Sequence, residues 1–525
     1  MKIIRRILAM ALSFSLLMAC VSCSEKPTAE AKILRYGISN PWDSLMPYNS
    51  ASGSNYARLI YDKLYDRLAY VHADGTLSPR GAQSWESTDD GYGVLFHLDT
   101  KAAFHDGTPV TATHWAETFR LVTDKACPTL GRSQLAVLAG TDENGVCVST
   151  LGVEALDDAT LKLTLKDKTT PEDFLVDKNR EFYVLPTYLF KDVAPADVMG
   201  MDLWQAPVGS GPCSFEGEIS GSQLDLKSNQ KYQLGAPGFD KLTITVMDKA
   251  NLLPSLIAGD LDYYAVGGSL SADDAELAKQ AGFTVEQGTV PNTFYELMVN
   301  NENLPNEAVR NAISLALDKK LLCQQSTHGL GTVTGTAVLP GTDYFTNYPP
   351  SVLQRNLEGA KALVASNGCK PLTLATTSAR AGLAALMQQN LQEAGFEVTI
   401  ETVDSATLFS GMTDGKYDLA IASHTPSSLP LWFVESRLTA GNNIFHLSAA
   451  ELGQAGQYLT AVRAATDQQE KVTQVKALQD FLFQKNYYIP LWFSVGLHIQ
   501  SKTVTGIDFA AAASSNENVW DWEKL

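Results

Sequence analysis

The residues point to an α/β protein built as two lobes. Two observations carry this expectation. The chain has 525 residues, more than one compact hydrophobic core accommodates, so at least two are expected. In addition, Leu372–Ala375 reads as a strand and Ala381–Ala394 as a helix closed by Gly395, with Phe396, Val398 and Ile400 alternating inward on the strand that follows. A strand–helix–strand run of this kind places parallel strands in one sheet.

Composition narrows the class of protein. Apolar residues make up 45% and charged residues 19%, with no low-complexity stretch, which is ordinary for a globular chain. The net charge of -18 argues against nucleic acid, or an anionic lipid surface, as the main partner.

The first residues read as a leader. Lys2, Arg5 and Arg6 precede an apolar run, Ile7–Ala19, too short to cross a bilayer. The run ends Leu17-Met18-Ala19-Cys20, which resembles the bacterial lipobox. That resemblance implies a signal peptide over 1–20 and a diacylglycerol on the Cys20 thiol, with Cys23 as the other candidate. Residues 21–32 are small and polar, as expected of a flexible tether. No later run is long and apolar enough to span a membrane.

Cys127, Cys147, Cys213, Cys323 and Cys369 follow, at spacings that match no zinc pattern. Cys127 and Cys147 flank a loop-like stretch and could pair in an exported protein, a bridge typically contributing about 3 kcal/mol. Five buried free thiols is the other reading.

Further elements follow in order. Strands are expected at Lys32–Ile38, Gly93–Leu98, Leu161–Leu165, Leu224–Lys227 and Leu242–Val246. Tyr56–Leu68 carries a helical apolar stripe, and Trp115, Phe119 and Val122 line a helix beginning after Thr113. Leu252–Ala258 reads as a short helix closed by Gly259. Asn306 can cap a helix whose Val309, Ile313 and Leu317 share a face. Tyr417–Ala422 is a strand, and Lys471–Phe483 a helix leading into a strand over Tyr487–Phe493. No internal repeat is present, which excludes a solenoid.

Several segments, in order, carry a family resemblance. They are Gln83–Glu86 (QSWE), Phe96–Leu98 (FHL), Phe104–Ala112 (FHDGTPVTA), Val153–Thr160 (VEALDDAT), Pro207–Pro212 (PVGSGP), Leu256–Asp262 (LIAGDLD) and Val309–Asp318 (VRNAISLALD). Together they resemble the peptide- and nickel-type solute-binding family of bacterial ABC importers, with Cys213 standing where that family usually has tyrosine. The resemblance implies the large two-lobe periplasmic-binding-protein fold with an extra inserted subdomain and a hinge of two crossing strands. By analogy lobe I takes residues 33–70, 204–289 and 492–525, the inserted subdomain 71–203, and lobe II 290–491. Solute is expected to be enclosed between the lobes by hinge closure.

Enzyme motifs do not assemble. Ser228-Asn-Gln-Lys231 fits a Ser-x-x-Lys pattern but has no Ser-Asp-Asn or Lys-Thr-Gly partner. Gly329–Gly335 is glycine-rich, with no helix after it and no lysine for phosphate. The pairs Asp89-Asp90, Asp157-Asp158 and Asp273-Asp274 sit beside turn residues, as solvated caps do. The histidines are scattered, so neither a metal cage nor any cofactor is expected.

The resemblance implies ligand contacts from the loop after the first strand and from the second lobe. That loop, Tyr48–Asn55, offers Ser50, Ser52 and Asn55 as hydrogen-bonding groups. Tyr295 and Trp432 could stack on or shield a side chain. Arg380 sits between a strand and a helix start, where a guanidinium could hold a ligand carboxylate. Peptide-binding relatives commonly place an aspartate after the strand equivalent to Tyr417–Ala422; here Ser423–Pro430 (SHTPSSLP) has no acidic residue. His424 could meet a metal chelate, as in nickel-binding relatives.

The expected function is a non-catalytic, monomeric solute-binding lipoprotein at the outer face of the cell membrane or in the periplasm. It would deliver a peptide or similar polar solute to an ABC permease and ATPase. A ligand sensor or peptide chaperone on the same scaffold, or a nickel-chelate binder, is the alternative.

Overall fold

Three sheets organise the chain. In the computed structural model the described residues are 31–48, 55–72, 74–129, 132–178, 182–264, 271–439, 442–465, 467–509 and 517–525. The leader, Cys20, Cys23, Ser50 and Ser52 lie outside them.

The first sheet has five strands, ordered Tyr263–Tyr264, Ile33–Ile38, Lys241–Val246, Gln223–Ser228 and Cys213–Ile219. Ile33–Ile38 pairs in parallel with both its neighbours. The second has four, ordered Ala82–Ser87, Gly93–Leu98, Thr160–Thr164 and Val153–Ala155, all antiparallel. Leu34, Tyr36, Leu242 and Ile244 from the first sheet join Phe96, Leu161, Trp115 and Phe119 in one core.

The third sheet has six strands, ordered Gly331–Val333, Tyr488–Ser494, Thr293–Val299, Leu419–His424, Leu372–Thr376 and Val398–Thr402. Alternation along its central strands feeds two cores, one on each face. Phe294, Met298 and Ala422 enter one, and Leu297, Val299 and Ile421 the other. Leu372–Thr376 runs parallel to Val398–Thr402 and to Leu419–His424, as the strand–helix–strand run predicts. The connecting helix, Ala381–Glu393, buries Leu383, Ala384, Met387 and Leu391 against this sheet. Each large side chain so buried contributes roughly 1.5–3 kcal/mol.

One ribbon joins the two halves. Val285–Gln287 pairs antiparallel with Leu497–Ile499. The pairing continues through Gly288 N to Gly496 O at 2.8 Å and Asn292 N to Ser494 O at 3.0 Å. It then enters the six-stranded sheet as Thr293 opposite Ser494. These are the two crossing strands of the expected hinge.

Most element expectations differ from the structure by a residue or two at their ends. The helix expected over Tyr56–Leu68 is the larger difference, ending at Leu64. Its terminal carbonyls are taken by other segments: Leu64 O accepts from Gly211 N and Arg67 O from Gly81 N, both at 2.9 Å. A Cβ on Gly209 would lie 1.8 Å from Leu64 O, so only glycine passes there. Asn306 caps Glu307–Ala316 through Ala308 N, and Gly259 closes Lys249–Ala258 with φ +83°. Cys127 and Cys147 are both free thiols, and Cys147 donates to Ser149 O at 3.1 Å. Among the described residues no helix is long and apolar enough to cross a membrane.

Candidate ligand site between the lobes

Parallel strands gather their C-terminal ends on one edge, a frequent location for ligands in α/β proteins. Here Thr376, Thr402 and His424 end at the edge where the ribbon enters. The two residues that end the Leu419–His424 strand point to opposite faces of the sheet, and each meets an arginine.

On one face, Ser423 Oγ accepts from Arg380 Nη2, while Arg380 Nη1 donates to Thr377 Oγ1 at 3.2 Å. The guanidinium lies 5.9 Å from the ring centroid of Tyr295, which stacks on Trp492 with centroids 5.3 Å apart and planes at 30°. Both acceptors are neutral, and among the described residues no carboxylate pairs with Arg380. A half-buried positive charge with an aromatic wall remains.

On the other face, His424 Nε2 stands 2.7 Å from Glu296 Oε1 and its Nδ1 is 2.9 Å from Arg437 Nη2. A neutral imidazole satisfies both, donating from Nε2 and accepting at Nδ1. Glu296 is fully buried; its Oε1 is 3.9 Å from Arg437 Nε and its Oε2 has no hydrogen-bond partner. Burying an isolated carboxylate is costly, and the guanidinium offsets that cost. Trp432 donates from Nε1 to Ala337 O at 3.2 Å and meets Phe294 and Phe433 edge-on.

The expected site residues therefore divide. Tyr295 and Arg380 come together at the strand-end edge. His424 and Trp432 occupy the opposite face in internal contacts. Asn55 begins the helix Asn55–Leu64, and its side chain is outside the description. Glu296, Arg437 and Trp492 escaped the sequence reading. A lone glutamate in the apolar run of Thr293–Val299 was the available signal for the first.

A cavity of about 1050 Å³ lies between the halves. Ser39, Tyr56 and Tyr264 face it from one side, and Tyr295, His328 and Ser494 from the other. Tyr56 Oη and Ser39 Oγ are 2.6 Å apart. The volume is at the upper end of the range for small-molecule sites. Among the described residues no three His, Cys, Asp or Glu side chains converge as a metal site.

Residues 76–444 match the family described as bacterial extracellular solute-binding proteins, family 5 Middle. The chain belongs to that family. This family 5 protein is 26% identical over 476 residues to the "Probable D,D-dipeptide-binding periplasmic protein DdpA" of Escherichia coli K12, covering 83% of this chain and 84% of that one. It is 27% identical over 382 residues to the nickel-binding periplasmic protein of the same organism, covering 68% and 69%. Among solved structures, the ABC transporter substrate-binding protein CtaP of Listeria monocytogenes superposes with a TM-score of 0.80 at 20% identity, over 94% of this chain and 100% of that one. That likeness establishes the two-lobe fold. The family consists of solute-binding proteins, so this member is a binding protein and not an enzyme. Accordingly Ser228 merely ends a strand, its hydroxyl accepting from Gln230 Nε2 at 2.9 Å.

Proposed function

We propose that this family 5 protein captures a peptide, or a similar small polar solute bearing a carboxylate, and delivers it to an ABC permease and ATPase. The observation that carries the reading is Arg380: a guanidinium without a carboxylate partner among the described residues, beside Tyr295 at the strand-end edge. A ligand carboxylate would complete the charge and accept two hydrogen bonds at once. The names of the relatives support the chemical class, since DdpA and the oligopeptide-binding protein AppA of Bacillus subtilis are described as peptide-binding.

In the same reading, residues 33–70, 204–289 and 492–525 form lobe I, 71–203 its inserted subdomain and 290–491 lobe II, with the strand Tyr488–Ser494 of the six-stranded sheet straddling the last boundary. A monomer is held at the outer face of the membrane, or in the periplasm, by lipid on Cys20. Ser50, Ser52 and Asn55 supply contacts from the opposite lobe.

The test is incubation of the mature protein with a mixed peptide pool, followed by gel filtration and mass spectrometry of what elutes with it. Retention of intact peptides with free carboxyl termini is expected. Cleaved products, or no retained peptide, would overturn the reading.

A further inference from the structure

Helix Pro171–Lys178 and helix Gln468–Lys485 belong to different halves of the molecule. Phe174 and Leu175 root the first in the core shared by the five- and four-stranded sheets. Val475, Leu478 and Leu482 root the second in a core of the six-stranded sheet. Asp173 and Lys471, 298 residues apart, nevertheless form an ion pair.

The pair sits at the cleft edge. Helix Gln468–Lys485 leads through Asn486 and Tyr487 straight into the strand Tyr488–Ser494 and packs back along it. Its first turn therefore lies at the end of the sheet where Ser494 enters the ribbon. Lys471 is a cation in that first turn, where the helix dipole disfavours positive charge. Local helix stability does not account for a lysine there; the carboxylate across the cleft does. Both side chains are mostly withdrawn from solvent, at 22% and 26% exposure, and Lys471 Nζ lies 5.9 Å from the Tyr344 ring centroid.

A second contact crosses the same gap. The turn between Ala69–Val71 and Leu77–Pro79 presses on Ser428, which follows the strand Leu419–His424. A Cβ on Gly75 would stand 2.5 Å from Ser428 Oγ, and its φ of +86° favours glycine as well. Two independent elements of one half thus touch the other half outside the ribbon.

We propose that Asp173 and Lys471 are a latch across the cleft that biases the ligand-free protein toward closure. Each charge is fixed to a separate core, so parting of the lobes must break the pair. A partly exposed ion pair of this kind shifts an open–closed equilibrium about two- to fivefold. Its effect is on population and opening rate and does not depend on which solute is bound.

The experiment is small-angle X-ray scattering of the ligand-free mature protein, at low salt and at 1 M NaCl. Asp173→Asn is expected to raise the open-to-closed ratio about two- to fivefold at low salt, and Lys471→Glu to raise it further by repulsion. The exchange Asp173→Lys with Lys471→Glu is expected to return the profile toward wild type. High salt should open the wild type and leave Asp173→Asn unchanged. Thermal melting of Asp173→Asn, whose side chain is partly exposed, guards against loss of fold. Profiles that superimpose on wild type, or an opening that the exchange fails to reverse, would overturn the latch. Because no ligand is used, that outcome is separate from failure of the peptide reading.

Discussion

Lys63 and Glu517, 454 residues apart, form an ion pair with both side chains fully buried. Glu517 Oε1 also accepts from Tyr36 Oη at 2.8 Å, and Lys63 Nζ donates to Leu59 O at 2.9 Å. The first strand, the first helix and the C-terminal segment meet at one carboxylate. Replacing Glu517 by Leu leaves a buried ammonium uncompensated and should cost about 3–5 kcal/mol. The double variant Lys63→Met with Glu517→Leu removes both charges and should lose much less than the two single losses added. Urea denaturation of the four proteins measures the coupling; strictly additive losses would contradict it.

His105 governs part of the acid stability. Its Nδ1 accepts from Gly209 N at 3.1 Å and its Nε2 donates to Gly211 O at 3.0 Å, holding the loop that crosses the first helix. Burial lowers its pKa from 6.5 to about 4. Between those values the unfolded chain binds the proton and the folded one does not, so stability falls as pH is lowered from about 6.5 to 4. The loss from this residue is on the order of 2–3 kcal/mol. His105→Gln should be less stable at pH 7 but show a shallower decline of the urea midpoint toward pH 4; an unchanged slope would place the proton uptake elsewhere.

Arg380→Ala should weaken binding of the captured acid by about 2–3 kcal/mol, or roughly 30- to 150-fold. The variant should also discriminate less between the acid and its amide. Calorimetry with both forms tests this, and undiminished affinity for the acid would remove Arg380 from the site. Arg380→Lys should recover only part of the loss, because an ammonium cannot hold a carboxylate bidentately.

In the proposed anchor the Cys20 thiol is the acylated atom and stable anchoring needs more than one chain, so Cys20→Ser should abolish palmitate labelling and release the protein from the membrane fraction. Labelling that persists would transfer the role to Cys23 or end the lipid reading.

The sequence was most legible where local pattern and tertiary role agree. Leu372–Ile400 announces its parallel pair because its helix is long, ends at a glycine and sits between alternating strands. Phe104–Ala112 shows its turn, and Gly107 takes φ +93°. Arg380 and Tyr295 could be nominated from their element ends, but not their meeting, which is set by the pairing of Tyr295 with Ser423 across two strands. Glu296 stayed hidden because a central strand buried on both faces reads as a continuous apolar run, in which one charge carries no periodicity. The groups that meet its carboxylate are His424 and Arg437, at sequence separations of more than a hundred residues. No local window contains such a pairing. The latch of Asp173 and Lys471 is equally non-local.

The ribbon that carries the chain between the halves pairs Val285–Gly288 with Gly496–Ile499 and, past residues 289–291, resumes at Asn292 against Ser494. Two separate tethers would let the halves slide, twist and tilt independently. A paired ladder is stiff within its own plane and compliant across it, so it works as a leaf spring with one soft direction. Gly288 and Gly496, hydrogen-bonded to each other at its middle, leave that point of the spring without side chains. A hinge bending along one coordinate would bring the same surfaces back to the same register. Contacts far from the spring, single ion pairs included, can therefore be as specific as contacts beside it.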